Sequence, residues 1–190
     1  MTPAIRDLAT QACATKLPGE IEPISDAKDG LPRLAIVELG RDSLRWVETG
    51  PWPVEAAGWS AGGSLAYSEN ADGRVTTYLS RPDGSRRRRI GPERGVTVFH
   101  EWSADGRYAL LTHADATRAN DVWVYDARRD TTWQVTFAME GGVDPAELPP
   151  AILVHYPTFD GRRISAYVHV PFNLRRDGAS PALVMAHGGP

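Results

Sequence analysis

Two stretches that repeat each other constrain this sequence more than any other feature. GWSAGGSLAYS, beginning at Gly58, returns as EWSADGRYALLT, beginning at Glu101. Trp59 and Trp102, Ser60 and Ser103, and Gly63 and Gly106 thereby stand 43 residues apart. A second pair gives nearly the same period. LAIVELGRDSLRWVET, from Leu34, aligns without gaps on DVWVYDARRDTTWQVT, from Asp121, at an offset of 87 that sets Trp46 on Trp133 and Thr49 on Thr136. Units of about 40–45 residues built from short strands are the pattern of β-propeller blades.

The unit has a physical logic. Trp-Ser-Ala-Asp-Gly followed by an apolar-rich run reads as a strand end, a tight turn and the next strand. Gly106 supplies the positive φ that such a turn commonly needs, and Asp105 can bond its own nearby backbone. Residues 122–126 alternate as a strand, 128–131 turn, and 133–137 return. A β-sandwich with coincidentally similar hairpins is the alternative, and two matched segment pairs at one period favour the propeller. Only two full units and part of a third are present, whereas a propeller closes with typically about four to eight blades. The chain is therefore not expected to close a ring by itself, and the apolar faces at either end of the stack are expected to lie uncovered.

Composition agrees with short strands and tight turns: 18 glycines, 15 prolines and six tryptophans. The one helix-like candidate of any length, residues 4–16, has weak apolar spacing. The expected fold class is mainly β. Residues 1–33 form an N-terminal segment, 34–137 a partial β-propeller of about two and a half blades, and the Gly- and Pro-rich 138–150 a linker. A net charge of −3 gives no reason to expect nucleic acid or an anionic membrane as partner. No apolar run approaches the roughly 20 residues that span a bilayer, and the first residues have no apolar core like that of a secretory signal. The single cysteine, Cys13, excludes an intrachain disulfide and a cysteine-based metal cluster. A cytoplasmic protein without cofactor is the expectation.

The first repeat contains G-W-S-A-G, Gly58 to Gly62, which matches the G-x-S-x-G of a serine hydrolase's nucleophile elbow. An elbow needs a buried strand before its serine and a helix after it. Here GPWPVEAA, with two prolines, precedes, and SLAYSE alternates like a strand. Gly62 also stands where the sister repeat has Asp105, so the repeat accounts for the whole stretch. Ser60 is expected to be a blade turn residue.

The tail changes character. Residues 152–156 and 163–170 are strand-like runs around Thr158-Phe159-Asp160-Gly161, a hairpin signal. In the second run Ile164, Ala166, Val168 and Val170 share one face, and Ser165, Tyr167 and His169 the other. Residues 182–186, ALVMA, have no polar member and suit a central strand of a parallel sheet, running into His187-Gly188-Gly189-Pro190.

At these residues the sequence resembles a family. YPTFDGRRISAYVHVPF followed by PALVMAHGGP is similar to the start of the catalytic domain in prolyl oligopeptidase family serine peptidases, above all the acylaminoacyl-peptidase and dipeptidyl-peptidase-like branches. The WSADG repeats resemble the blades of that family and of TolB-like proteins. The resemblance implies an amino-terminal β-propeller followed, over residues 151–190, by the first strands of a truncated α/β-hydrolase domain. It implies that His187, Gly188 and Gly189 form the oxyanion loop: Gly189 the N–H donor, Gly188 permitting the turn, His187 holding the loop. Glycine suits that role because a Cβ would crowd the tetrahedral intermediate. The family's loop precedes its elbow along the chain, whereas Ser60 precedes Gly189 by 129 residues, so none of the triad transfers to any residue present.

The implied function is a fragment of a serine-type peptidase, acting on peptides through an acyl-enzyme in the intact parent. It is expected to be inactive alone, to have the missing remainder of the peptidase as a partner, and to be poorly stable by itself. The alternative is a non-catalytic TolB-like propeller module that binds protein or peptide. The H-G-G-P stretch favours the first, since a binding module has no use for an oxyanion loop. Arg86 to Arg89 is expected to be a solvated strand edge rather than an anion site. His100, His113, His155 and His169 lack metal-ligand spacing, and Tyr67, Trp102 and Trp123 are expected in blade cores.

Overall fold

The computed structural model describes residues 20–21, 24–26, 28–38, 43–138 and 141–186. The helix candidate 4–16, Cys13 and the loop His187-Gly188-Gly189 lie outside the described residues. The chain divides into two compact units, Met1–Val143 and Asp144–Pro190.

The first unit is a stack of three antiparallel sheets. In the first, β3 (Arg33–Glu38) pairs with two short strands, β1 (Glu20–Ile21) and β2 (Ile24–Ser25), and with β4 (Ser43–Trp46). This blade therefore draws in backbone upstream of the propeller start expected at residue 34. The second is a four-stranded meander, β5 (Val54–Trp59), β6 (Leu65–Ala71), β7 (Arg74–Ser80) and β8 (Arg88–Ile90). The third repeats it with β9 (Val96–Trp102), β10 (Tyr108–Asp115), β11 (Arg118–Asp126) and β12 (Thr131–Gln134). Local chemistry selects the hairpins. β7 carries the β-branched and aromatic residues Val75, Thr76, Thr77 and Tyr78, and β6 joins it through Asp72-Gly73, both at positive φ (54° and 77°), the geometry that matches strand twist in a two-residue hairpin.

The repeat holds, but not without gaps. Trp59 pairs with Leu65, whereas Trp102 pairs with Ala109, so the third blade's first turn is one residue longer. A bulge between His113 and Asp115 adds a second residue. Leu65, Tyr67 and Glu69 thus correspond to Ala109, Leu111 and His113, and Thr77 and Leu79 to Val122 and Val124. The gapless 87-residue alignment is one residue out. Val47 N–H donates to Leu34 O as Val135 N–H donates to Val122 O, an offset of 88. Because strand side chains alternate faces, each one-residue shift exchanges the buried and exposed sets.

Two apolar seams result. Between blades one and two, Leu34, Ile36 and Val47 meet Val54, Trp59, Leu65 and Tyr67. Between blades two and three, Ala66, Leu79 and Ile90 meet Phe99, Trp102, Ala109, Leu111 and Tyr125. Tyr67 and Trp102 are core residues, as expected, Trp59 joins them, and Trp123 is half-buried and packs against the second seam. Burying each such side chain contributes on the order of 1.5–3 kcal/mol. Polar links register the second seam. Phe99 N–H donates to Ser68 Oγ (2.8 Å), Thr77 Oγ1 donates to Thr97 O (2.8 Å), and Trp102 Nε1–H donates to Gly58 O (3.1 Å).

Among its described residues the second unit holds a 3-10 turn, Pro145–Glu147, and a hairpin, β13 (Ala151–Pro157) with β14 (Arg163–His169). Residues 182–186, expected as a buried parallel strand, form no strand, and Leu183, Val184 and Met185 are 86%, 90% and 84% exposed. The reason is the one that makes parallel strands buried. Such a strand needs neighbours on both edges and cover on both faces, and no described residue pairs with it.

Candidate functional site

The only serine in a G-x-S-x-G pattern sits at the turn after β5. Ser60 N–H donates to Ser64 O (2.8 Å), Gly63 N–H donates to Ser60 O (2.9 Å), and Ser60 Oγ accepts from Ser64 N–H (3.0 Å). The residue is 4% exposed. A nucleophile elbow exposes its hydroxyl on a strained strand-to-helix turn. Ser60 instead joins strand to strand, and the described non-glycine residues at positive φ are Asp72, Arg86 and Asp130. The sister turn is built alike. Gly106 N–H donates to Ser103 O, and Ser103 Oγ accepts from Tyr108 N–H and donates to Asp105 Oδ1 (2.6 Å). The two turns touch: a Cβ on Gly106, at φ 66°, would stand 2.6 Å from Ala61 N. Ser60 is structural.

A different constellation, which the spacing of the histidines did not reveal, lies inside the second seam. Thr97 Oγ1 is 2.9 Å from His113 Nδ1, and His113 Nε2 is 3.7 Å from Asp115 Oδ2. Hydroxyl, imidazole and carboxylate in line are the elements of a catalytic triad. Thr97 and His113 are each 1% exposed, however, and Trp123 stacks edge-on to the imidazole at 5.6 Å. No substrate carbonyl can reach that hydroxyl. Asp115 is occupied by Thr117, whose N–H and hydroxyl donate to it (2.7 and 2.8 Å). Burial holds the His113 pKa below its ordinary value, outweighing the nearby Asp115 charge. The group is a neutral core histidine.

The arginine run lies at the edge strand β8, as expected, but three of its members are paired: Arg89 meets the exposed Glu93 at 3.6 Å, and two others reach further. Arg87 pairs with the buried Glu69 and stacks over Tyr78, 3.6 Å from the ring centroid. Burial pushes the Tyr67 hydroxyl in the same cluster up to about 12. Arg88 crosses to the third blade, bonding Asp130 and Tyr125 OH. These contacts join positions 18 and 42 residues apart along the chain, which no local pattern reports. Asp126 is also fully engaged. Arg107 donates to it, as do Arg128 and Arg129 N–H, and the Arg107 guanidinium foremost holds its carboxyl down at about 2.

In the hairpin, Thr158 N–H donates to Arg162 O (2.7 Å), Gly161 N–H donates to Thr158 O (3.0 Å), and Gly161 takes φ 81°. The D-G signal is a real turn. His155 and His169 stand exposed on its strands, far in sequence from His100 and His113. Among the described residues no group of three His, Cys, Asp or Glu side chains could hold a metal ion, and no helix is long and apolar enough to cross a membrane. On the surface, His100 Nε2 lies 2.8 Å from Thr112 Oγ1.

No protein-family model matches the sequence, and no curated protein matches it. Solved structures do. The chain is similar to the crystal structure of Porphyromonas gingivalis dipeptidyl peptidase 4, at 18% identity and TM-score 0.67, over 89% of this chain and 24% of that one. It is similar to a structure from a study of two prolyl endopeptidases, at 17% identity and TM-score 0.68, over 87% of this chain and 25% of that one. Prolyl oligopeptidase B from Galerina marginata, bound to a 35mer substrate, matches at 14% identity and TM-score 0.67, over 80% and 22%. The chain spans about a quarter of the length of these solved chains. At such identities the likeness establishes the fold: a mainly β chain of stacked propeller blades.

Proposed function

We propose that this chain is the segment of a serine peptidase, of the prolyl oligopeptidase type, in which the last propeller blades lead into the catalytic domain. One observation carries the reading: the order of elements. Antiparallel blades come first, then the Asp160-Gly161 hairpin, then P-A-L-V-M-A-H-G-G-P. The fold likeness to dipeptidyl peptidase and prolyl oligopeptidase structures supports it.

On this reading the parent hydrolyses peptides through an acyl-enzyme, with the propeller restricting access. Gly189 N–H donates to the oxyanion, Gly188 lets the backbone approach, and His187 holds the loop. Residues 182–186 become a strand only when a parallel sheet supplies both neighbours, which accounts for their lack of pairing here. On this reading none of the catalytic triad is among these residues, so the chain alone does not hydrolyse peptides. The test is the coding sequence past codon 190. A frame specifying G-x-S-x-G-G, then an aspartate, then a histidine supports the proposal. Absence of any such frame refutes it and leaves a binding module.

A further inference from the structure

Where the chain leaves a blade, the first and third blades grip it through the same two positions. The offset of 88 that relates Leu34 to Val122 and Val47 to Val135 also relates Arg33 to Asp121 and Gly50 to Ala138. In the first blade Arg33 Nη1 donates to Gly50 O (2.9 Å) and Trp52 O (3.0 Å), and Arg33 Nη2 donates to Pro51 O (3.2 Å). Asp29 Oδ2 accepts from Arg33 Nε (3.0 Å) and holds the guanidinium in place. In the third blade Asp121 Oδ1 accepts from Ala138 N–H (2.9 Å) and Thr136 Oγ1–H (2.7 Å), and Oδ2 accepts from Gln134 Nε2–H (3.0 Å). The polarity is reversed because a guanidinium only donates and takes carbonyls, whereas a carboxylate only accepts and takes N–H and O–H groups.

The second blade does without such a grip. Thr77 and Ile90, paired across β7 and β8, are its counterparts of Leu34 and Val47, which sets Thr76 at the position of Arg33 and Asp121. Its outgoing chain turns instead on Gly91 at φ 90°, where a Cβ would stand 2.9 Å from Thr97 Cγ2.

The two grips lead to different places. Beyond Gly50 the chain enters β5, and Val54 N–H bonds Pro32 O while Asn70 N–H bonds Pro53 O. Beyond Ala138 it runs toward the second unit, which begins at Asp144. β12 ends at Gln134, and the ladder continues only through Val135 N–H and Thr136 N–H to Val122 O (2.8 and 3.4 Å). Val122 N–H answers by donating to Thr136 Oγ1 (2.8 Å). Among the described residues, the bond from Ala138 N–H to Asp121 is the last that ties this stretch to the blade. Asp121 is 4% exposed, while residues 135–138 are exposed. Burying a carboxylate is costly, and an apolar side chain there would hold none of these donors.

We propose that Asp121 is the positioning residue for the junction between the two units. It anchors the outgoing chain to the third blade as far as residue 138, so the tether to the second unit starts there and not at the end of β12. The anchor is independent of the peptidase reading, because it lies wholly within the third blade.

Chymotrypsin digestion of the folded full chain, read by intact mass together with native-state amide exchange, tests it. Phe137 is 65% exposed, so its ring is open to the protease, and the anchored groups on either side of it are what protect the bond to Ala138. Asp121→Ala should speed cleavage after Phe137, and exchange of Ala138 N–H, by at least about tenfold each. Phe99 N–H, bonded to Ser68 Oγ in the second seam, should exchange as in the wild type. Should Asp121→Ala fail to fold, Thr136→Val, at an exposed position, removes a bond of the same clasp and should shift cleavage in the same direction. A wild-type chain cut after Phe137 as fast as the variants overturns the proposal. So does a variant in which Phe99 and Ala138 N–H accelerate equally, which means that Asp121 supports the whole blade rather than the outgoing chain.

Discussion

Adjacent leucines on β10 give the sharpest test of the blade register. Leu111 faces the second seam and is 0% exposed, among Phe99, Trp102, Ala109 and Tyr125. Leu110 faces the other way, half-buried on the open side of the third blade. A gapless 43-residue alignment sets Leu110 on the core residue Tyr67 and Leu111 on Ser68, the reverse of what the longer turn produces. Truncating a fully buried leucine in a packed seam loses its transfer free energy and leaves a cavity, so Leu111→Ala should cost about 3 kcal/mol. Leu110→Ala removes side-chain surface already half in water and leaves no closed cavity, so about 1 kcal/mol or less is expected. Both should be measured by urea unfolding. The m-values should remain equal, so the midpoints carry the difference of about 2 kcal/mol. A Leu110→Ala cost equal to or above that of Leu111→Ala would refute the register and, with it, the facing of every residue on β10.

The stacked turns make a second contrast. Gly106→Ala meets the backbone of Ala61 at 2.6 Å and must hold φ near 66°, so a loss of about 2–3 kcal/mol is expected. Gly63→Ala, with nothing within 4 Å, pays only for its positive φ, about 1 kcal/mol. Equal losses in urea melts would mean that the turns do not touch. The buried imidazole predicts a pH dependence. Burial lowers the folded pKa of His113 below 6.5, Arg118 adds to the lowering, and Asp115 opposes it. The unfolded chain therefore takes up the proton first. Stability is full above about pH 6.5, falls as pH drops toward the folded pKa, and then levels. His113→Gln should flatten that decline, and a wild type that gains stability on acidification through this window contradicts a buried neutral histidine.

The repeat could be read because its markers are rigid: Trp59 and Trp102 each end a first strand, and Gly63 and Gly106 each supply a positive φ. What could not be read were single-residue insertions. Arg107 in the turn leaves the composition of β10 unchanged, yet it exchanges its faces, and the bulge opposite Asp115 then adds a residue to β11 between Arg118 and Asp121. Short strands are also faint: β1 and β2, two residues each, carry no periodicity, and their pairing with β3 is a tertiary fact. Residues 182–186 show the converse. Their apolar run is an unambiguous strand signal, but a strand is a pairing and not a composition. The Thr97–His113–Asp115 alignment escaped the sequence because it depends on β9 lying against β10, and its burial strips it of chemistry. Ser60 was legible for a local reason, since the sister turn at Ser103 explains every residue of its motif.

The central claim is that the serine in G-W-S-A-G belongs to a blade turn and is not a nucleophile. Incubation of the folded 190-residue chain with a fluorophosphonate probe, followed by mass spectrometry of the intact chain and of its peptides, tests this directly. No adduct is predicted at any residue. Stoichiometric labelling of Ser60, abolished by Ser60→Ala, would contradict the account.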